Sequence, residues 1–191
     1  MNTFEAISGR RSIRRFKRDA VPKEALERIL AAASQAPSAK NRQPWRFTVV
    51  QGAKRDEMVR VMRAGLDARE TSGEETGSAR WTTDCMGEAP VTVFVHNPAG
   101  AHPWLPRKEN EAWMELADVQ SVGAAIENML LAAQPLGIGS MWIADVWYAH
   151  RELNAWLETE EQMVAAVSFG YPNESPASRP RKPLSEIARH V

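Results

Sequence analysis

Cysteine is all but missing: Cys85 stands alone among 191 residues, which excludes an internal disulfide framework and a thiolate cage around a metal. A reducing compartment is the expected setting. Net charge is missing as well, because 24 Lys and Arg balance 24 Asp and Glu. No global field therefore recruits nucleic acid or an acidic membrane, and any basic site has to be local. Long apolar runs are absent too. The longest, Val122 to Met141, is broken by Glu127, Asn128, Gln134 and Pro135 and reads as a buried helix, not a membrane span. The stretch Met1 to Arg11 has no apolar run of signal-peptide length, so the protein is expected to be cytoplasmic.

The familiar catalytic patterns are also wanting. The chain has no HExxH, no CxxC, no P-loop and no nucleophile elbow. Its four histidines, His96, His102, His150 and His190, lack metal-ligand spacing and are expected at the surface or lightly buried. Any chemistry must therefore arrive with a cofactor.

What is present is enough apolar content, 43%, for one domain over residues 1–191. Asn2 with Glu5 three residues on predicts an N-capped first helix that stops near Gly9. Pro22 opens a second helix with Leu26, Ile29, Leu30 and Ala33 at helical spacing. Trp45 to Val50 reads as a strand, and Met58, Val59, Met62 and Leu66 mark a third helix. Residues 67–90 are polar and glycine-interrupted, and 96–110 are rich in proline; both are expected as mobile loops or a lid. Between them Val91 to Val95 is a continuous apolar run, hence a buried strand. Glu111 to Gln134 is the longest helical pattern, Ile138 to Ile143 a strand, His150 to Leu157 a helix and Met163 to Phe169 a last strand. The order fits an α+β or irregular α/β class with a mainly antiparallel or mixed sheet.

Four segments carry candidate chemistry. Arg10-Arg11-Ser12-Ile13-Arg14-Arg15 sets basic residues around one hydroxyl directly after a helix stop, which suits forked hydrogen bonds to a phosphate. Taken alone, it reads more readily as a solvated basic turn or a nucleic-acid arm. In Ala36 to Trp45 two prolines stiffen a loop whose Ser38, Asn41 and Gln43 offer short donors and acceptors for the edge of a heterocycle; an ordinary helix-to-strand loop looks the same. Leu136 to Ile143 leads with Gly137 and Gly139 into a strand, in an order opposite to the dinucleotide fingerprint, and a glycine C-cap explains Gly137 equally well. Gly170-Tyr171-Pro172 followed by Arg179-Pro180-Arg181-Lys182-Pro183 is a stiff basic tail or a solvated terminus.

In this order, the segments RRSIRRF at 10–16, APSAKNRQPW at 36–45, AAQPLGIGSMW at 132–142, and FGYP with RPRKPL at 169–184 resemble the nitroreductase family of FMN-dependent oxidoreductases over nearly the whole chain. The resemblance implies a central, mostly antiparallel sheet wrapped by helices, and a homodimer with FMN at its interface. Arg10 and Ser12 then match phosphate contacts, Arg11 a cofactor contact beside them, Arg14 a contact to the ribityl chain or pyrimidine edge, and Arg181 with Arg179 a second phosphate clamp. Pro37, Ser38, Asn41 and Gln43 match ring contacts given by the partner subunit. Trp142, Ile143 and Ala144 match backbone lying along the ring.

The implied activity is NADH- or NADPH-driven reduction of nitroaromatics, quinones or similar electron-poor small molecules, by a ping-pong mechanism. Alternatives on the same fold are reductive dehalogenation, enoate reduction and flavin breakdown; others are a non-catalytic flavin-binding dimer and a nucleic-acid binder. Ala39, Lys40, Ala144 and Asp145 depart from or vary within the family pattern and leave the substrate open. Trp81, Trp104 and Trp113 read either as walls over the flavin or as dimer-core packing.

Overall fold

The computed structural model describes residues 1–102 and 104–191. Helix α1 (Thr3–Gly9) begins at a capping box, in which the Glu5 N–H donates to the Asn2 side chain and the Asn2 N–H to the Glu5 carboxylate. Helix α2 (Lys23–Ser34) follows Pro22 and buries Leu26, Ile29 and Ala33. Four strands, β1 (Arg46–Gln51), β2 (Val91–Asn97), β3 (Gly139–Ile143) and β4 (Gln162–Gly170), form one sheet in the order β1-β2-β4-β3 with every neighbouring pair antiparallel.

The two central strands are buried along their whole length, so they read as continuous apolar runs, not alternating ones. Val91, Val93 and Val95 of β2 face one cluster, shared with α2 and with α5 (Glu109–Ala133), while Phe94 faces another built on α3 (Ala53–Thr71) and α4 (Ala79–Glu88). A register shift at Val95/His96 bends the central pair. A 3₁₀ turn (Gln134–Leu136) and Gly137 at φ 68° end α5 and reverse the chain into β3; the left-handed backbone there favours glycine. Helix α6 (His150–Trp156) and the short α7 (Leu184–Ile187) complete the chain. Among the described residues no helix is long and apolar enough to cross a membrane.

The reading of residues 67–90 as irregular is corrected. Helix α3 runs on to Thr71, and Ala79–Glu88 forms α4. The buried face of α4 is made of Ala79, Thr82, Thr83, Cys85 and Met86, small and polar side chains whose periodicity a hydropathy pattern does not register. Arg80 knits the two helices by contacts to Asp67 at 2.6 Å and Glu70 at 2.5 Å. Of the stretch 96–110, His96 and Asn97 belong to β2, and α5 already starts at Glu109; Pro103 lies outside the described residues. The histidines are corrected as well: His96 and His150 are buried.

Candidate functional site

The chain after α1 runs extended and docks on the start of β3, where Ser12 bridges Ser140 in parallel sense and the Ile13 N–H donates to the Ser140 carbonyl at 2.9 Å. Gly139 makes this approach possible, since a side chain there would meet Ile13 Cγ1 at 2.8 Å. The tail after β4 returns along the same segment. Lys17 N–H donates to the Tyr171 carbonyl at 2.8 Å, Asn173 N–H to the Arg15 carbonyl at 2.9 Å, and the backbone N–H groups of Arg14 and Arg15 both donate to Glu174 Oε1, at 2.5 and 3.2 Å.

Two sequence-distant basic segments are thereby brought to one place. Arg10, Arg11, Ser12 and Arg14 line a cavity of about 240 Å³ opposite Arg179 and Arg181. Only Arg10 has a carboxylate in reach among the described residues, Glu127 at 3.7 Å. Arg11 donates to the Ser8 and Arg10 carbonyls, Arg14 to the Ser12 carbonyl and Arg181 to the Arg179 carbonyl. Guanidinium groups held by carbonyls around a polar hollow keep their charge available, and a phosphate of nearly two negative charges requires several such donors. The cradle therefore fits a phosphate monoester. The Arg14 guanidinium also lies 5.6 Å from the centroid of the Trp81 ring, within cation–π range.

Pro37, Ser38, Asn41 and Gln43 are not part of this cavity within one chain. They sit on a loop against α5, where Ala39–Asn41 forms a 3₁₀ turn. Lys40, Asn41 and Gln43 have φ of 53°, 55° and 50°, left-handed values that cost a non-glycine residue about 1–2 kcal/mol, least for Asn. Ser38 Oγ accepts from the Gln43 N–H at 3.0 Å, and Ala39 N–H donates to Ser121 Oγ at 3.3 Å. Arg42 forks onto the buried Asp118, Nε to Oδ1 and Nη2 to Oδ2, both at 3.0 Å. That carboxylate raises the Arg42 pKa further above its ordinary value.

On β3 the Trp142 side chain is 44% exposed, whereas Ile143 is buried. Ala144 follows at a turn and lines a second hollow of about 540 Å³ together with Arg69, Trp104, Trp147, Tyr148 and His150. Trp104 stacks on His102 with centroids 4.7 Å apart, and both rings approach His150. Trp81 and Trp113 are more than half exposed. Sequence reasoning missed Trp147, His150 and Arg69, which no linear motif joins, and it missed Asp118, Ser121 and Glu174, whose partners lie 76, 82 and 160 positions away.

Sheet order, helical layers and the doubly basic cradle together define a nitroreductase-like fold. The family model of the Nitroreductase family matches residues 7–171, and the chain belongs to that family. Over 176 residues it is 35% identical to an Archaeoglobus fulgidus protein provisionally named NADH dehydrogenase/NAD(P)H nitroreductase, covering 90% of this chain and 86% of the relative. Over 188 residues it is 31% identical to the 5,6-dimethylbenzimidazole synthase of Rhodospirillum rubrum, covering 94% and 83%. Among solved structures, a provisionally named nitroreductase of Desulfovibrio desulfuricans in complex with FMN is 28% identical and superposes with a TM-score of 0.77 over 100% of this chain and 97% of that one.

Proposed function

We propose that the chain is an FMN-dependent oxidoreductase that uses NADH or NADPH to reduce electron-poor small molecules such as nitroaromatics or quinones by a ping-pong sequence. The observation that carries this reading is the convergence of Arg10, Arg11, Ser12 and Arg14 with Arg179 and Arg181 on one hollow, in a member of a family with an FMN complex among its solved relatives. FMN, when bound, supplies the two-electron carrier between pyridine nucleotide and acceptor.

The chain's own residues bind and orient. The arginines and Ser12 hold the phosphate, and Arg14 offers positive charge toward the ribityl chain or the pyrimidine edge, where it stabilises the electron-rich form. Backbone at Trp142, Ile143 and Ala144 would lie along the ring, and Pro37, Ser38, Asn41 and Gln43 would read the ring edge from the partner subunit. A homodimer is supported by the large apolar side chains left exposed on α1 (Phe4, Ile7), α5 (Trp113, Leu116) and α7 (Leu184, Ile187). A cytoplasmic setting is in keeping with the lone, buried Cys85.

Anaerobic mixing of the flavin-loaded protein with NADH or NADPH is expected to bleach the flavin band, and a nitroaromatic or quinone added afterwards to restore it. A band that neither nucleotide bleaches contradicts the oxidoreductase reading and leaves a flavin-binding dimer. The 31% identity to 5,6-dimethylbenzimidazole synthase favours a second reading, another flavin reaction on the same fold. It is the one to adopt if the flavin is bleached but no nitroaromatic or quinone restores the band.

A further inference from the structure

We propose that Asp118, midway along α5, is a positioning residue that holds the 37–43 loop in its ring-reading shape by gripping Arg42. The inference rests on the reading that this loop meets the flavin ring, and it concerns residues for which the family resemblance assigns no role.

Lys40, Asn41 and Gln43, three of four consecutive residues, are left-handed without being glycine. Such backbone persists only where its surroundings over-determine it. The loop's internal bonds, Asn41 N–H to the Ser38 carbonyl, Arg42 N–H to the Ala39 carbonyl and Gln43 N–H to Ser38 Oγ, close the turn on itself and do not tie it to the rest of the molecule. Two side-chain contacts do, and both reach α5: Ala39 N–H to Ser121 Oγ, and the Arg42 fork to Asp118. Asp118 and Ser121 are three residues apart, hence on one helix face, and Ser121 is itself fixed by donating to the Ala117 carbonyl at 2.7 Å.

The fork is the stronger of the two anchors, being bidentate and charge-assisted. Arg42 alone stands at φ −69°, an unstrained right-handed link between strained neighbours. Gripping it fixes the orientation of Asn41 on one side and Gln43 on the other. A buried carboxylate is a costly way to secure mere packing, since an apolar side chain of like volume often serves as well. Its value here is direction: two parallel bonds define the plane and the distance of the loop relative to α5. Asp118 acts through Arg42. It sets where the ring-edge donors stand.

The test uses FMN binding to the full-length apoprotein. Asp118→Asn and Arg42→Met are each expected to weaken FMN about tenfold, as loss of a charged hydrogen-bond pair does, and the double variant to weaken it no more than either alone, because the pair acts as a unit. Arg181→Ala, at the phosphate end, is expected to add its effect in full to that of Asp118→Asn. The bound flavin's visible band is expected to change shape in Asp118→Asn and in Arg42→Met but not in Arg181→Ala. Wild-type affinity in both loop variants overturns the proposal, and so does weaker binding with an unaltered band. Arg42 is partly exposed, so its variant keeps the test open if Asp118→Asn fails to fold. Failure of the wild-type chain to bind FMN would sink the underlying reading instead.

Discussion

The backbone N–H of Ile13 donates to the carbonyl of Ser140 at 2.9 Å, and this bond registers the arginine segment against β3. From Ser140 the strand leads to Ala144 over roughly 13 Å at the usual strand rise. The docked arginine segment and Ala144 are thus joined by one strand, not by a flexible loop.

Gly139 is where this registration is most vulnerable. A methyl group there falls 2.8 Å from Ile13 Cγ1 and 3.0 Å from Ile13 Cβ, and the buried, β-branched Ile13 has little room to turn. Gly139→Ala is expected to cost about 1–3 kcal/mol, read as a lowered denaturant midpoint. Adding Ile13→Ala is expected to cost less than the sum of the two changes, since one clash relieves the other. Strict additivity of the two variants would show that the contact is not the cause.

Arg10→Ala and Arg181→Ala are each expected to weaken FMN binding about tenfold or more, by removing a charged donor. Arg55→Ala, on α3 and paired with Asp56 at 3.1 Å, is expected to leave it unchanged. Equilibrium titration checks this, and equal affinity in all three variants would remove the phosphate cradle.

Stability is expected to fall as pH drops from 7.5 toward 5.5. Burial lowers the His96 pKa against the opposing effect of its bond to Asn154, and burial together with His150 and His96 lowers that of His102. In the unfolded chain both take up a proton near pH 6.5, while the folded form resists, so the unfolded state binds more protons and gains as pH falls. The stabilisation is complete above the unfolded pKa and is lost below it. His96→Gln, which keeps an amide toward Asn154, is expected to show a smaller drop in Tm over that interval. An identical drop in both proteins would place the effect elsewhere.

Much of this architecture was legible because burial and sequence coincided. Val91 to Val95 reads as a strand because both its faces are covered, and Asn2 with Glu5 announces a cap that the backbone then uses. Helix α4 stayed hidden because Thr82, Thr83 and Cys85 are buried without being strongly apolar. Arg10, Arg14 and Arg181 could be picked out as charges in glycine- and proline-framed segments. The Arg42 fork to Asp118 could not, since two unremarkable charges 76 positions apart form no pattern until α5 is folded beside the loop.

Titration of the purified chain with FMN, combined with its molar mass in solution, tests the central claim most directly. The account predicts a dimer that binds one FMN per chain and binds it about tenfold or more weakly on Arg181→Ala. A chain that stays colourless at saturating FMN, or that binds it equally well without Arg10 and Arg181, would contradict it.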